Sequence, residues 1–318
     1  MAKKKHTLAK TLGGLFVGAA ALALTNQILI KKEKNSIYNY GTKVETIFGK
    51  MNVAINGEGE DVIVLLSGYG TTSPILDFEP LAKSLSSFAK VITVEYLGYG
   101  DSDDTDRERT VENICEELHC LLETLHVNKY WLMPHSISGA YALAYVNYYP
   151  EEVAGLLMID TSVPKQVEKA NPKIETVLTK VLSYSGLNRI ITHFNPEGTI
   201  GSKEVYDEDV LEQIKYRSLQ NPTKAIKNEG DLLLANMQKC MDMKLPEKLP
   251  VLTFLCKSTI DKTKNWWLEL HEEQNENLET SAIVVLEGAH YLHRTNAETM
   301  ANEVDNFMAF NAEATIFE

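Results

Sequence analysis

The sequence predicts an α/β fold: a mostly parallel, doubly wound sheet with helices on both faces, an inserted helical cap, and an apolar helix ahead of it all. Three observations predict it. Short runs that are apolar throughout fit strands buried on both faces: Asp61-Val-Ile-Val-Leu-Leu66, Val91-Ile-Thr-Val94, Gly155-Leu-Leu-Met-Ile159, Val251-Leu-Thr-Phe-Leu255 and Ala282-Ile-Val-Val-Leu286. Helical patterns alternate with the earlier strands, as a parallel sheet requires. That rhythm stops between about residues 163 and 249, where helical stretches are punctuated by Asn-Pro and Gly without a strand signal.

Taken in order, residues 43–56 alternate apolar and polar around Gly49-Lys50, which suggests a hairpin. The strand at 61–66 runs into the glycine-rich turn Ser67-Gly68-Tyr69-Gly70, and an amphipathic helix follows at about 78–88. After the strand at 91–94 comes the loop Glu95-Tyr-Leu-Gly-Tyr-Gly-Asp-Ser-Asp103. Thr110 can cap a helix whose apolar positions Val111, Ile114, Leu118, Leu121 and Leu125 repeat at helical spacing. A strand from Lys129, an abrupt turn at Ser136 and an apolar helix to Pro150 come next, and then the strand ending at Asp160. In the insertion, helices are expected at about 172–185, 207–218 and 227–240, and a last helix closes the domain at 297–310. The expected organisation is a leader (1–34), a first part of the core (35–162), a cap (163–249) and a second part of the core (250–318).

The formal net charge of −13 is uneven: the leader carries seven lysines against the single acid Glu33, or +6, which leaves −19 on the body. A body this acidic would repel phosphate backbones, so nucleic acid is not an expected partner. Residues 11–30 contain no charge, follow a lysine-rich start and end at Lys31-Lys32. As a helix rising about 1.5 Å per residue, they are long enough to cross the hydrocarbon of a bilayer. Apolar residues resume at Ile28-Leu29-Ile30, which favours an uncleaved membrane anchor; the alternative is a cleaved signal peptide with Ala21-Leu22-Ala23 at the cut and a secreted product. Cys115, Cys120, Cys240 and Cys256 show neither a Cys-x-x-Cys pair nor metal-ligand spacing, and read as free buried thiols.

In a sheet of this kind functional groups gather at the carboxyl ends of the strands. Ser67–Thr71, Glu95, Ser136 and Asp160 all fall there. Pro134-His-Ser-Ile-Ser-Gly139 has the shape of a nucleophile elbow, with Pro134 and Ser138 where Gly-x-Ser-x-Gly carries glycines. A serine needs a base for its proton and donors for the oxyanion. Among eight histidines, His290 is the expected base, because it follows the last strand in a loop on the same edge. His293 reads as a packing or capping residue, since His-x-x-His lacks a third metal ligand, and His135 should point away from the serine. The oxyanion donors would be the backbone N–H groups of Ile137 and Tyr69.

Together, Ser67-Gly68-Tyr69, the Glu95–Asp103 loop, His135-Ser136-Ile137-Ser138-Gly139 and Gly288-Ala-His290 resemble the α/β-hydrolase superfamily over about residues 43–318. Ser67 stands where that family usually has the His of a His-Gly pair. The resemblance implies a Ser-His-acid triad. Most members place the acid after the penultimate strand, where Asp261 lies about two residues late; some, including haloalkane dehalogenases, place it where Asp160 lies. The reading leans to Asp160, with Asp261 as the alternative. A serine nucleophile argues against dehalogenase or epoxide-hydrolase chemistry, which in this superfamily uses an aspartate there.

The expected function is a carboxylesterase-like serine hydrolase acting on an ester or related acyl bond of a small, partly apolar substrate, with no cofactor or metal. A proline-iminopeptidase-like peptidase ranks lower, because the cap offers no dedicated acidic pair for an amino terminus. A membrane-tethered ligand sensor or scaffold with a degenerate site is the competing class.

Overall fold

A computed structural model describes residues 24–169 and 187–316. Contacts divide the chain into two units, Asn39–Pro172 with Thr223–Glu318, and Met1–Tyr38 with Lys173–Pro222.

The first unit carries eight strands: β1 (Thr42–Thr46), β2 (Gly49–Asn56), β3 (Val62–Leu66), β4 (Lys90–Glu95), β5 (Tyr130–Pro134), β6 (Val153–Ile159), β7 (Val251–Cys256) and β8 (Ser281–Leu286). They form one sheet in the order β1-β2-β4-β3-β5-β6-β7-β8. β1 and β2 make an antiparallel hairpin and β2 runs antiparallel to β4; every other pair is parallel. The continuous apolar runs form strands because each has a hydrophobic layer above and below. On one face the helices Val111–Thr124 and Ser138–Tyr148 cover Val64, Leu66, Leu132 and Leu156. On the other, Phe78, Leu81, Met300 and Val304 cover Ile63, Leu65, Met133 and Phe254. Thr110 caps its helix as its position suggests, accepting a bond from the Asn113 N–H at 3.3 Å.

From β3 the chain crosses to β4 on one side and then to β5 on the other. The switch opens a crevice at the carboxyl ends of β3 and β5, the place where open α/β sheets bind ligands.

Local departures have local causes. The hairpin turns at Ile47-Phe48, and Gly49-Lys50 already open β2. The helix expected at about 78–88 is Glu79–Leu85, and a separate short helix, Pro74–Asp77, precedes it, since Pro80 lacks an N–H and is accommodated only in a first turn. Three cysteines are buried and free, but Cys120 is only half-buried.

In the second unit the described helices are Leu187–Phe194, Pro196–Ile200 and Glu208–Ser218. Residues 24–33 are helical too, and the segment after them is fastened here. Gln213 Nε2 donates to Ser36 O (2.9 Å), the Tyr38 N–H donates to Gln213 Oε1 (3.1 Å) and Arg217 Nη2 donates to Tyr38 O (2.6 Å). The stretch expected as one cap, 163–249, is therefore shared between the units. Its helix Lys224–Lys239 belongs with the sheet, because Asn228 Oδ1 accepts from Arg109 N (2.7 Å) and Asn236 bonds Val111 N (3.0 Å) and Arg109 O (2.9 Å). No strand occurs among the described residues of 163–249. The helix expected at 172–185 and most of the apolar segment 11–30 lie outside the described residues; among those described, no helix is long and apolar enough to cross a membrane.

Candidate active site

Ser136 directly follows His135 at the end of β5, with φ 55°, a left-handed conformation that costs a non-glycine residue about 1–2 kcal/mol. Two backbone bonds hold the turn there: the Ser136 N–H donates to Ile159 O (3.2 Å) and the Ser162 N–H donates to Ser136 O (2.7 Å). Gly139 lets the following helix sit against the loop after β6, since a Cβ on it would lie 2.4 Å from Thr161 Cβ. Ser138, at the position where a second glycine is common, donates through Oγ to Ser67 O (2.6 Å) and meets the Tyr96 hydroxyl at 3.1 Å. The departure from Gly-x-Ser-x-Gly thus adds a tie between the start of the helix after β5 and the loop after β3.

The three expected loops converge. His290 Nε2 lies 3.0 Å from Ser136 Oγ, and His290 Nδ1 lies 2.6 Å from Asp160 Oδ2. Asp160 follows β6, and its side chain is fully buried. Its oxygens accept from the Cys256 N–H (3.1 Å), the Thr259 hydroxyl (2.8 Å) and the Trp267 indole N–H (2.9 Å). Burial alone would raise its pKa; the His290 contact and the Cys256 and Thr259 donors outweigh that and hold the carboxyl below its usual range. A carboxylate that only accepts keeps the hydrogen on His290 Nδ1, which leaves Nε2 free to take a proton from Ser136. Asp261 is elsewhere: it is more than half exposed and pairs with Lys257 on its own helix at 2.6 Å. The structure brings Asp160 to His290 and leaves Asp261 aside.

The loop after β3 lies against the serine. A Cβ on Gly68 would be 2.9 Å from Ser136 Cβ and 3.0 Å from His135 Nδ1, so only glycine fits. Tyr69 is the next residue, and Ile137 follows Ser136 at the start of the helix, so the two expected oxyanion donors lie on the two segments that meet at the serine.

Residues 61–234 match the family profile described as the alpha/beta hydrolase fold. The chain belongs to the α/β-hydrolase fold family. It is 26% identical over 313 residues to the uncharacterized protein YbdG of Bacillus subtilis, covering 90% of this chain and 94% of that one. Among solved structures, a thermophilic esterase from Thermogutta terrifontis aligns with a TM-score of 0.62 at 19% identity, over 85% of this chain and 98% of the esterase. A haloalkane dehalogenase, DbeA of Bradyrhizobium elkanii, aligns at 0.60 and 15%, over 87% and 99%. At these identities the two structures speak for the fold alone.

Further residues, several of them without any signal in the sequence, support the site of this α/β hydrolase. Tyr99 accepts from the Gly70 N–H (3.2 Å) and donates to the buried Glu229 (2.7 Å), whose other oxygen accepts from Tyr141 (2.9 Å). The loop carrying Tyr69 is thus moored to a carboxylate on the helix Lys224–Lys239. Burial pushes the Glu229 pKa up, partly offset by Arg109 and the two hydroxyls. Glu95 plays a similar part, accepting from the Tyr40 hydroxyl (2.8 Å), Asn52 Nδ2 (2.9 Å) and the Asp101 N–H (2.7 Å) and so fixing the loop after β4. His135 is buried and its Nε2 lies 3.0 Å from His290 O, an acceptor, so Nε2 carries the hydrogen. His293 Nε2 lies 2.7 Å from Asp77, which Arg294 Nε also contacts at 2.7 Å, pinning the loop that carries His290. Only the pairing of an acid with tyrosines 130 and 88 residues away in sequence could have flagged Glu229, and no local pattern carries that.

Proposed function

We propose that this α/β hydrolase is a carboxylesterase-like serine hydrolase that cleaves an ester or related acyl bond of a small, partly apolar substrate. The observation that carries the reading is the unbroken chain from Ser136 Oγ to His290 Nε2 (3.0 Å) and from His290 Nδ1 to a buried Asp160 (2.6 Å). Ser136 Oγ attacks the acyl carbon and its proton passes to His290 Nε2. Charge develops on the acyl oxygen, which the backbone N–H groups of Tyr69 and Ile137 receive. His290 then returns the proton to the leaving alkoxide as the carbon–oxygen bond breaks, giving an acyl-enzyme and an alcohol. Water attacks the acyl carbon with His290 again as base, and Ser136 leaves with the proton to release the acid. The serine at 136 also separates this reading from routes that begin on an aspartate.

We further propose attachment to a membrane through residues 11–30, on the strength of their length, their lack of charge and the lysines on either side. The deciding experiment is labelling of the full chain with a fluorophosphonate, followed by hydrolysis of an acyl-ester panel of graded chain length. Labelling that disappears in Ser136→Ala supports the hydrolase; a folded protein that takes no label sinks it and leaves a ligand-binding scaffold. Proline p-nitroanilide, hydrolysed in preference to esters, would point to a peptidase instead.

A further inference from the structure

The second unit contains a pair of helices turned inside out. In Leu187–Phe194 the side chain of Thr192 is buried (6% exposed), while Ile190, Ile191 and Phe194 are exposed, Phe194 at 81%. In residues 24–33, Asn26 is buried at 4%, while Leu24 and Ile28 are 67% and 70% exposed. Arg189 holds the two together through a polar clasp. Its Nε donates to Asn26 Oδ1 (2.5 Å), and Nη1 and Nη2 donate to the two oxygens of Glu33 (2.6 and 2.7 Å). In water this arrangement is backwards, since polar groups occupy the interior and large apolar side chains the exterior. Against hydrocarbon it is the expected order: charges paired inward and apolar residues outward.

We infer that the helix pair formed by residues 24–33 and Leu187–Phe194 is a lipid-facing surface of the protein, seated in the acyl region of a bilayer beside the apolar segment. This inference rests on the proposed membrane attachment and adds to it a second contact, through Leu187–Phe194, on a part of the chain far from the leader in sequence. Two further observations select a bilayer over another occupant. Leu24 and Ile28 belong to the uncharged stretch 11–30, so the exposed patch continues directly into a sequence suited to hydrocarbon. Lys31, Lys32 and Lys34 follow at its end, the first two on the same helix, and all three are exposed, in keeping with an anionic headgroup layer.

The test places a reporter at Phe194. Phe194→Cys in the full chain, with Cys120→Ser to remove the one thiol that is not buried, carries an environment-sensitive nitrobenzoxadiazole dye. Vesicles of phosphatidylcholine and phosphatidylglycerol are prepared with and without nitroxide on the acyl chains. Flotation with the vesicles, together with a drop in dye emission of about twofold or more from the nitroxide, is the expected result. Adding Ile190→Asp and Ile191→Asp should abolish the quenching while flotation through residues 11–30 persists. Flotation without quenching in the parent protein overturns this inference and leaves the anchor standing; no flotation overturns both. A dye already shielded without vesicles also overturns it, and size-exclusion chromatography then tells a second copy from coverage by the chain's own segment.

Discussion

Replacing Asp160 with asparagine tests the candidate triad most severely. All four partners of its carboxylate approach as donors: His290 Nδ1 and the Thr259 hydroxyl on one oxygen, the Cys256 N–H and the Trp267 indole on the other. An asparagine has one oxygen and one NH2 to offer. If the NH2 takes the Oδ1 position it meets two fixed N–H groups, leaving buried donors unpaired at a cost of about 1–3 kcal/mol. If it takes the Oδ2 position, Thr259 can rotate to accept, and the NH2 then donates to His290 Nδ1. The second arrangement costs less, and it moves the imidazole hydrogen to Nε2, where it faces Ser136 and no base remains. The expected loss is about 10⁴-fold in kcat, or about 5.4 kcal/mol of transition-state stabilisation, with KM little changed. Steady-state hydrolysis of the best ester from the panel measures it, with thermal unfolding to show that the variant is folded. Asp261→Asn, at an exposed ion pair, should stay within about twofold of the parent. If Asp160→Asn keeps turnover within tenfold while Asp261→Asn loses orders of magnitude, the tautomer argument is wrong.

Gly68→Ala puts a methyl 2.9 Å from Ser136 Cβ and must push the Tyr69 loop away, so kcat should fall by about 10²–10³-fold, as for a lost oxyanion donor, with fluorophosphonate labelling slowed in step. Tyr99→Phe removes both the Gly70 N–H acceptor and a donor to buried Glu229, and should cost about 1–3 kcal/mol in urea unfolding as well as ester turnover. Burial pushes the Glu95 carboxyl from 4.5 up to about 7, so between these values the native protein holds a proton that the unfolded chain has released. Stability should therefore fall as pH rises through that window, by up to about 3 kcal/mol, and Glu95→Gln should flatten this slope in urea melts at pH 5 and pH 7.5.

How much was legible in the sequence follows from which interactions are local. The continuous apolar runs identified the buried strands, because a strand covered on both faces needs an unbroken hydrophobic stretch, and strand order along the chain placed Ser136, Asp160 and the His290 loop at one sheet edge. Thr110 announced its helix through a contact within a single turn. What the chain could not announce are contacts made in space. That Asp160 and not Asp261 meets His290 depends on Trp267, Thr259 and Cys256 closing around one carboxylate from a neighbouring strand and its following helices. The attachment of Lys224–Lys239 to the sheet depends on Glu229 and Asn236 meeting Tyr141 and Arg109, which are remote in sequence. The pairing of Arg189 with Glu33, 156 residues apart, likewise left no trace in the local pattern of residues 24–33 or Leu187–Phe194. Sequence by itself determined the layers and the edge where chemistry gathers, since burial writes a periodic signal; tertiary structure decided which polar groups meet, since a hydrogen bond is set by distance and direction and leaves no periodic trace.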